Sequence, residues 1–508
     1  MDNKRKWVNS DSMYGPGTLP PFLGLEGGKT QSKRPIDYFL FYFSDEILEE
    51  IVFQSNLYAH QLDKPNFTLT KYELQTFLGI NLIMSYIRYP RTRLYWNSDA
   101  AFRMSFIADS MPVNRYESIL RHLHFTNNLD LDTNSTDKLK KLRPFLDKLQ
   151  KNFLSATEPE EYQAINEQIV PLKGRLSIKQ YLPKKPKKWG VKIWVRAGVS
   201  GYMYRFEVYQ GAGGGREAIS DFGACGDVIL RLSDDIQHKN HKLFFDNLFC
   251  SVPLLQELKQ RKIWATGTLR GNRLSGAGEC LMSEKDMKKQ GRGTSSVVST
   301  ESGDITITKW MDSNAIHIGS TCAGVEPQSS VKRWSKPNKT TIEVNRPFSV
   351  KYYNKNMGGV DLLDQLLALY PLRRRNKRWY IRIFMHFLDV AVINSWILYK
   401  KDGNSDMDLL EFKGSVGRTL INRGTRNSEN KRGRPRSTTP PTSILKTRKP
   451  NHHAPEEIRK DNFGHWPKLT DIKNARRCHS SSCKRKTKDI CKRCNEPCCP
   501  DCMENFHK

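Results

Sequence analysis

Apolar residues three and four positions apart dominate the chain from residue 36 to about residue 161. The stretches with this spacing are "PIDYFLFYFSDEILEEIVFQSNLYAHQL", "TKYELQTFLGINLIMSYIR", "NRYESILRHLHF" and "KLRPFLDKLQKNFLSA". Such spacing lines one face of a helix with apolar side chains, so we expect residues 36–161 to form a mostly α-helical domain. The preceding residues, 1–35, are rich in Gly, Pro, Ser and Lys, which predicts disorder.

Short β-rich runs replace the helical pattern after residue 161. "GVKIWVRAGV" and "YMYRFEVYQG", joined by a tight "SG" turn, predict a hairpin. "HKLFFDNLF" and "IWATGTLRG" predict two more strands, with the amphipathic helix "VPLLQELKQRKI" between them. Strands followed by helices indicate an α/β sheet, so the expected fold class is multidomain α/β.

The rest of the chain alternates between polar and helical segments. Residues 273–347 are polar and rich in Gly and Ser, which indicates an insertion that splits the α/β core into residues 162–272 and 348–367. Residues 368–422 predict a second helical part. Residues 423–470 are rich in Pro, Arg and Ser and predict a basic linker. Residues 471–508 form a separate cysteine-rich segment.

The excess of positive charge indicates that the protein binds a polyanion. The 508 residues include 83 Lys and Arg against 53 Asp and Glu, a formal net charge of +30. Nucleic acid is the usual polyanion for such a protein, and an acidic membrane surface is the alternative. The longest apolar run, residues 384–399, is interrupted by polar side chains and is expected to be too short and too polar to span a bilayer. We expect an intracellular protein of the nucleus, with no membrane association.

Three aspartates are candidate ligands for catalytic metal ions. Asp246 ends a predicted strand, and Asp361 and Asp364 lie one helical turn apart in "NMGGVDLLDQ". Acidic residues near a helix start also complement the helix dipole, which is the structural alternative. Carboxylates from a strand end and a helix that converge in a basic α/β protein suit two Mg²⁺ ions and phosphodiester chemistry.

Seven cysteines crowd into the last thirty-one residues and predict two structural Zn²⁺ sites. A cross-braced arrangement gives one ion Cys478, Cys483, Cys499 and Cys502. The other ion takes Cys491, Cys494 and His507, and its fourth ligand is either Cys498 or His479. Metal binding would supply much of the stability of so small a segment.

Two basic stretches are candidate DNA contacts. "RRRNKRWY" contributes Arg373, Arg374, Arg375, Lys377 and Arg378. Cations at a helix start oppose the helix dipole, which favours phosphate contact over a solvated helix end. "KRGRPRST" carries an AT-hook-like core formed by Arg432, Gly433, Arg434, Pro435 and Arg436. This core suits a narrow A·T minor groove, and a nuclear import signal is the alternative.

The chain resembles the piggyBac family of DNA transposases and their domesticated descendants. The matching stretches are "NEQIVPLKGR", "YLPKKPKKWGVKIW", "FFDNLFCSVPLLQELK", "NMGGVDLLDQ", "RRRNKRWYIRIF" and the terminal cysteines. The resemblance implies an RNase H-like catalytic core split by an insertion, helical dimerisation and DNA-binding parts, and a terminal zinc-binding segment that binds transposon-end DNA. It also implies a homodimer on double-stranded DNA.

The family's triad of aspartates is incomplete in this chain. By resemblance the second and third aspartates fall on Asp246 and Asp361, a further functional aspartate falls on Asp364, and the first falls on Asn166. A carboxamide has one neutral acceptor oxygen where a carboxylate has two charged ones, so it is a poor bridge between two dications. We therefore expect a DNA-binding derivative without strand cleavage, with magnesium bound only if the site still works. The alternatives are an active transposase, or an adaptor that uses the zinc segment to bind chromatin proteins.

Overall fold

The computed structural model describes residues 5–25, 34–132, 134–174, 176–183, 188–211, 218–372, 376, 378–426 and 454–508. The chain divides into two compact units, each assembled from segments that are far apart in the sequence. Unit 1 comprises Met1–Lys33, Gln150–Pro371 and His386–Ser405. Unit 2 comprises Arg34–Leu149, Leu372–Met385 and Asp406–Lys508.

The described residues form helices and strands throughout both units. The helices are α1 (Pro35–Tyr42), α2 (Asp45–Gln61), α3 (Lys71–Tyr86), α4 (Ser105–Ala108), α5 (Val113–His122), α6 (Arg143–Ser155), α7 (Gly223–Leu232), α8 (Val252–Gln260), α9 (Glu284–Gln290), α10 (Phe348–Asn356), α11 (Gly359–Leu369), α12 (Trp379–Lys401), α13 (Leu409–Arg426), α14 (Glu456–Arg459) and α15 (Pro500–His507). The strands are β1 (Trp7–Val8), β2 (Tyr162–Pro171), β3 (Lys179–Tyr181), β4 (Trp189–Gly198), β5 (Met203–Val208), β6 (Lys242–Phe245), β7 (Trp264–Leu269), β8 (Ser295–Thr300), β9 (Thr306–Met311), β10 (Ala315–Ser320), β11 (Ser329–Ser335), β12 (Thr340–Arg346), β13 (Pro467–Leu469), β14 (Arg476–Arg477), β15 (Lys486–Thr487) and β16 (Asp489–Cys491).

A ten-stranded mixed sheet forms the centre of unit 1. Its order is β1-β8-β9-β10-β7-β6-β2-β4-β3, and β5 also pairs with β4. Strand β6 runs parallel to its two neighbours, β2 and β7, and the other neighbouring pairs are antiparallel. The predicted α/β class is confirmed by this sheet. Residues of β2 and β6 are buried on both faces of the sheet, because helices cover both faces.

The two faces of the sheet carry separate apolar clusters. Ile165 and Phe245 belong to the cluster that includes the buried side chains of α7 and α8. Ala164 and Phe244, the preceding residues of the same strands, belong to the cluster on the opposite face, which includes α10. This alternation decides which functional side chains can meet, because only residues of one parity face α10 and α11.

The predicted insertion, residues 273–347, contributes to the same sheet. Strands β8, β9 and β10 extend the sheet beyond β7, and β11 and β12 pair only with each other among the described strands. The polar composition concealed this arrangement, because several buried positions of β9 and β10 hold hydroxyl residues such as Thr306, Thr308 and Ser320. Their hydroxyl groups bond within the sheet, as Ser320 does with Thr266 over 2.7 Å.

The described part of the segment predicted to be disordered, residues 5–25, follows a packed path along unit 1. Strand β1 pairs Trp7 with Thr300 of β8. Asp11 accepts hydrogen bonds from the backbone amides of Val325 and Glu326 at 2.8 and 2.9 Å. The buried ammonium of Lys242 donates to the carbonyl of Pro20 at 2.7 Å. We call residues 5–25 the N-terminal arm.

Glycine contacts let two helices of unit 2 approach closely. A Cβ atom at Gly79 of α3 would lie 2.6 Å from the carbonyl oxygen of Gly417 in α13. One at Gly424 would lie 1.7 Å from the hydroxyl oxygen of Thr76. Any larger side chain would separate α3 from α13, so these glycines fix that pairing. The AT-hook-like residues Arg432–Arg436 follow α13 and lie outside the described residues.

Helix α12 is the described helix with the length and composition of a membrane span, with a mean hydropathy of 1.5 over its apolar window. The sequence pattern had predicted an apolar run, residues 384–399, that is too short and too polar to span a bilayer. The window is 83% buried within the protein, as in the core helix of a soluble domain.

Candidate functional site

Asn166 and Asp246 lie side by side on neighbouring parallel strands. Ile165 of β2 is paired with Phe245 of β6, so Asn166 and Asp246 are the next residues of the two chains. Ile165 and Phe245 both point into the cluster with α7 and α8. Their successors therefore lie toward the opposite face, where α10 and α11 pack. Both successors are half-buried.

Helix α11 brings Asp361 and Asp364 to the same face. It packs against β2 and β4. Its first residue is Gly359, where a Cβ atom would lie 2.3 Å from the carbonyl oxygen of Gly198 at the end of β4. Only a glycine allows this close approach. Asp361 is exposed and Asp364 is half-buried, so the two carboxylates have different surroundings although they share a helix face.

Tyr353 of α10 connects Asp246 with Asp361. Burial raises the pKa of its phenol, and the negative charges of Asp246 and Asp361 raise that pKa further. A hydrogen bond with Thr268 acts in the opposite direction. Asp246 of the strand end and Asp361 of the helix start thus both act electrostatically on one phenol of α10.

A chain of hydrogen bonds holds Asp364. The amide nitrogen of Gln168 donates to Oδ1 of Asp364 over 2.7 Å. The amide oxygen of Gln168 lies 2.7 Å from Nε2 of His386 in α12 and accepts from it when that nitrogen carries the proton. Asp364 is therefore a half-buried structural carboxylate, and Gln168 and His386 are site residues that the motif comparison missed. Gln168 could have been found from its parity with Asn166 on β2.

The amide of Asn166 has no carboxylate substitute next to it. Its oxygen accepts the backbone N–H of Glu167 at 2.8 Å. Glu167 itself points to the other face, where its charge acts on the Lys192 ammonium. Lys192 lies over the rings of Trp194 and Tyr209 at 4.6 and 4.2 Å. The separation of these faces rules out Glu167 as a replacement ligand in this conformation.

The donor set around Asn166 does not fit a pair of magnesium ions. Such a site needs several anionic oxygens around two dications. The strand pair supplies one carboxylate, Asp246, and one neutral amide. Within the described ranges, groups of three or more converging Cys, His, Asp or Glu side chains occur only after residue 464.

Two four-residue groups near the C-terminus have the geometry of metal sites. One consists of Cys478, Cys483, Cys499 and Cys502, as the cross-braced pattern predicts. The other consists of His465, Cys491, Cys494 and His507. In each group the candidate ligand atoms all lie within 4.8 Å of one another. Residues 454–508 are called the cysteine module below.

His465 occupies the place that the sequence left to Cys498 or His479. The sulfur of Cys498 is buried 3.9 Å from that of Cys478 but belongs to neither group. His479 instead contacts the buried carboxylate of Glu496. The cysteine run begins at Cys478, whereas His465 precedes it by thirteen positions and reaches the group because β13 pairs with β16. A search for histidines upstream of Cys478 would have found it.

Hydrogen bonds orient both histidines of the second group. Nε2 of His465 lies 2.8 Å from a carboxylate oxygen of Asp461, and Nδ1 lies 3.2 Å from the sulfur of Cys491. Nδ1 of His507 lies 2.8 Å from the carbonyl oxygen of Arg459 and donates to it. Metal-binding histidines are oriented by such contacts, because they fix which nitrogen faces the metal. The geometry thus leaves Nδ1 of His465 and Nε2 of His507 as ligand atoms.

One cysteine of each group has a lowered pKa, whereas the hydrogen bond with Cys491 raises the pKa of Cys494 and burial raises that of Cys499. The pKa of Cys483 is lowered to about 6, first by the backbone N–H of Arg485 and then by its guanidinium. The pKa of Cys491 is lowered to about 3, chiefly by a hydrogen bond from Cys494. Deprotonated sulfur is the form that binds zinc. Four sulfurs, or two sulfurs with two imidazoles, are donor sets that zinc prefers.

Arg378 is engaged within unit 2. Its guanidinium donates to the carbonyl oxygen of Arg121 at 2.9 Å and also to that of Leu120. These carbonyls belong to the last turn of α5, where backbone acceptors lack helical partners. Arg378 also lies over the ring of Tyr380, 5.6 Å from its centroid. Arg378 thus forms a helix C-terminal cap in this structure, and its contact with DNA stays a prediction. Arg373, Arg374, Arg375 and Lys377 lie outside the described residues.

Comparison with known proteins finds a family model and two human relatives that match most of the chain. A family model described as Transposase IS4 matches residues 34–396. The human PiggyBac transposable element-derived protein 2 is 32% identical over 395 residues, which cover 77% of this chain and 65% of that protein. The human PiggyBac transposable element-derived protein 3 is 31% identical over 418 residues, 81% of this chain and 69% of that protein. The chain thus spans about two thirds of the length of these relatives.

A solved structure shares the fold. It is a piggyBac transposase in a synaptic complex with hairpin DNA, and it matches with a TM-score of 0.67 at 21% identity. The match covers 94% of this chain and all of the other chain. Both the sequence relatives and the fold confirm the resemblance, and this chain belongs to the piggyBac transposase family.

Proposed function

We propose that this chain is a domesticated, transposase-derived protein that binds double-stranded DNA in the nucleus and does not cleave it. The observation that carries the proposal is Asn166 beside Asp246 on the paired strands β2 and β6. An amide there removes one negative charge from a site that must hold two dications. Each factor of ten in rate corresponds to about 1.4 kcal/mol, and loss of a bridging ligand removes several such factors.

The core supports this proposal through its architecture. The order β5-β4-β2-β6-β7 at the centre of the sheet supports an RNase H-like core. Asn166, Asp246 and Asp361 stand where the family's triad would stand by resemblance. Magnesium would bind only if an acidic residue were restored at position 166.

The case for DNA binding combines charge with relationship. The chain carries a formal net charge of +30. The piggyBac transposase that shares this fold was solved in a complex with hairpin DNA. The proposal extends DNA binding, sequence-specific recognition and a homodimer to this chain, and assigns about two zinc ions to the cysteine module.

An excision assay tests the loss of cleavage. We expect no excision of transposon ends by the natural chain and measurable excision by Asn166→Asp. The matched control is the double variant Asn166→Asp/Asp246→Ala, which should again be inactive. Robust excision by the natural chain, abolished by Asp246→Ala, would contradict the proposal.

A salt titration tests DNA binding. Contacts with phosphates release counterions, so affinity for AT-rich and transposon-end-like duplexes should fall steeply with salt. A variant without residues 423–508 should lose affinity and specificity, while Asp246→Ala should bind like the natural chain. Weak binding with a shallow salt dependence in all three proteins would contradict the proposed DNA binding.

A second candidate function rests on the exposed apolar side chains of the cysteine module. Phe463, Trp466 and Leu469 are 72%, 68% and 71% exposed. A cavity of about 430 Å³ beside them is lined by residues that include His465, Trp466 and Met503. Such a patch suits an adaptor that binds chromatin proteins. If Phe463→Ser/Trp466→Ser kept full DNA affinity but lost binding to nucleosomes, the adaptor function would be favoured.

A further inference from the structure

The two-stranded ribbon formed by β11 and β12 has one buried and one exposed face. The buried face carries Val331, Ile342 and Val344, which pack with Trp310 and Ile318 of the main sheet. The pairing of Trp334 with Thr341 and of Lys332 with Glu343 defines the exposed face. We call this pair of strands with its turn, residues 329–346, the ribbon.

Half-buried charges fix the ribbon to the sheet. Asp312, in the turn between β9 and β10, accepts hydrogen bonds from Arg292 and from Nε of Arg333, the latter at 3.0 Å. Arg292 also donates to the carbonyl oxygen of Trp334 at 3.1 Å. Asp312 is only 16% exposed, so these contacts are shielded from solvent. The exposed face is therefore held in a defined orientation.

The exposed face combines an aromatic ring with positive charge. Trp334 is 60% exposed, although tryptophan carries a large apolar surface. Lys332 lies on the same face, and Lys336 and Lys339 lie in the exposed turn. Over the described ranges no ion pair joins these three lysines to an acid. Glu343 is the one acidic residue within 329–346.

The ribbon lies next to the candidate site. Val331 and Ile342 of its buried face pack in the same cluster as Tyr353. The phenol of Tyr353 feels the charges of Asp246 and Asp361. The buried face of the ribbon therefore shares an apolar cluster with the tyrosine on which both carboxylates act electrostatically.

We propose that the exposed face of the ribbon is a binding surface for DNA beside the degenerate active site. Lys332, Lys336 and Lys339 contact backbone phosphates, and Trp334 stacks on an unpaired base. Aromatic side chains bind unpaired bases without sequence preference because every base has a π-face. The inference rests on the proposed DNA binding and adds the place and the structural class of ligand, a duplex that carries unpaired bases.

Matched variants of the full chain test the lysines. Lys332→Ala/Lys336→Ala/Lys339→Ala should lower the slope of log affinity against log salt by about 2 to 3, because each phosphate contact contributes about one. The control, Lys285→Ala/Lys288→Ala/Lys289→Ala, removes the same charge from α9 of the same segment, where Lys288 and Lys289 are paired with Glu284 and Asp286. It should change the slope by much less.

Two DNA probes test Trp334. Trp334→Ala should weaken binding to a duplex with an unpaired overhang by about ten-fold and leave a blunt duplex unaffected. Trp334→Phe should retain most of the affinity for the overhang, and the thermal unfolding midpoints of both variants should match that of the natural chain. Equal slopes for the two lysine variants, or equal effects of Trp334→Ala on both probes, would overturn the inference while the natural chain still binds DNA. Failure of the natural chain to bind either probe would overturn the proposed function as well.

Discussion

Gln168 of β2 donates a hydrogen bond to Asp364 of α11 over 2.7 Å, and this contact ties the central strand to the helix that carries Asp361. Gln168 is buried and Asp364 is half-buried. The distance between Asn166 and Asp361 therefore depends on an uncharged residue outside the family's acidic triad.

Replacing Gln168 should loosen this connection. Gln168→Leu removes the donor from a shielded carboxylate and should lower the free energy of unfolding of unit 1 by about 1–3 kcal/mol. The matched control is Gln237→Leu, because Gln237 makes the same kind of bond with exposed Asp234 at 2.9 Å. It should change the free energy by less than about 0.5 kcal/mol. Equal effects in urea unfolding would contradict a special role for Gln168.

Zinc analysis should distinguish the four-ligand groups from their neighbours. The full chain should contain about two zinc ions, and His465→Ala should lose about one of them. Cys498→Ser should keep both, because its sulfur lies outside the two groups. Elemental analysis of dialysed protein measures this. A normal zinc content in His465→Ala together with a loss in Cys498→Ser would favour the fourth ligand suggested by the sequence.

Stability of unit 1 should fall as the solution becomes acidic. Burial lowers the pKa of His241 to about 4, whereas an unfolded histidine has its ordinary value of 6.5. The folded state therefore binds fewer protons than the unfolded state between these values. The contribution of His241 is complete above about pH 6.5 and is lost as the pH falls through about 4, a change of up to about 3 kcal/mol.

Unfolding of His241→Gln checks the sign. The variant should show a smaller decrease in the free energy of unfolding between about pH 6.5 and pH 4 than the natural chain. His238→Gln is the matched control, since it replaces an exposed histidine of the same unit. A pH dependence that is identical in all three proteins would show that His241 is not the responsible group.

Arg378→Ala should destabilise unit 2 more than it weakens DNA binding. Its guanidinium caps the last carbonyls of α5, so its removal leaves those acceptors without their donor. We expect a loss of about 1–3 kcal/mol in unfolding free energy. The salt dependence of DNA affinity should remain unchanged. If Arg378→Ala instead reduced the salt dependence of DNA affinity and left stability normal, the result would support the phosphate contact that the sequence predicts.

The core of the candidate site could be predicted from local sequence because its geometry follows from strand parity and helix spacing. Asp246, Asp361 and Asp364 were singled out in this way, whereas Asn166 was assigned only by the resemblance to the family. His465 was missed because it enters its group through the pairing of β13 with β16, which no spacing rule within the cysteine run contains. The role of Arg378 was missed for a related reason. Its partners are backbone carbonyls of α5, more than two hundred and fifty positions earlier, and a charge run does not reveal such acceptors.

The packed conformation of the N-terminal arm was also not predicted, because its partners lie about three hundred positions later in the sequence. These distant contacts affect the order of folding. Residues 5–25 leave the ribosome early. Trp7 can pair only after Thr300 has been made, and Asp11 can accept its hydrogen bond only after Val325 has been made. Closing so long a loop costs conformational entropy, so the arm is fixed after the sheet it crosses. During synthesis the earliest residues are therefore protected only after residues 300 and 325 have been made. A growing chain halted before residue 300 would expose its arm to proteases, whereas the completed chain would shield it.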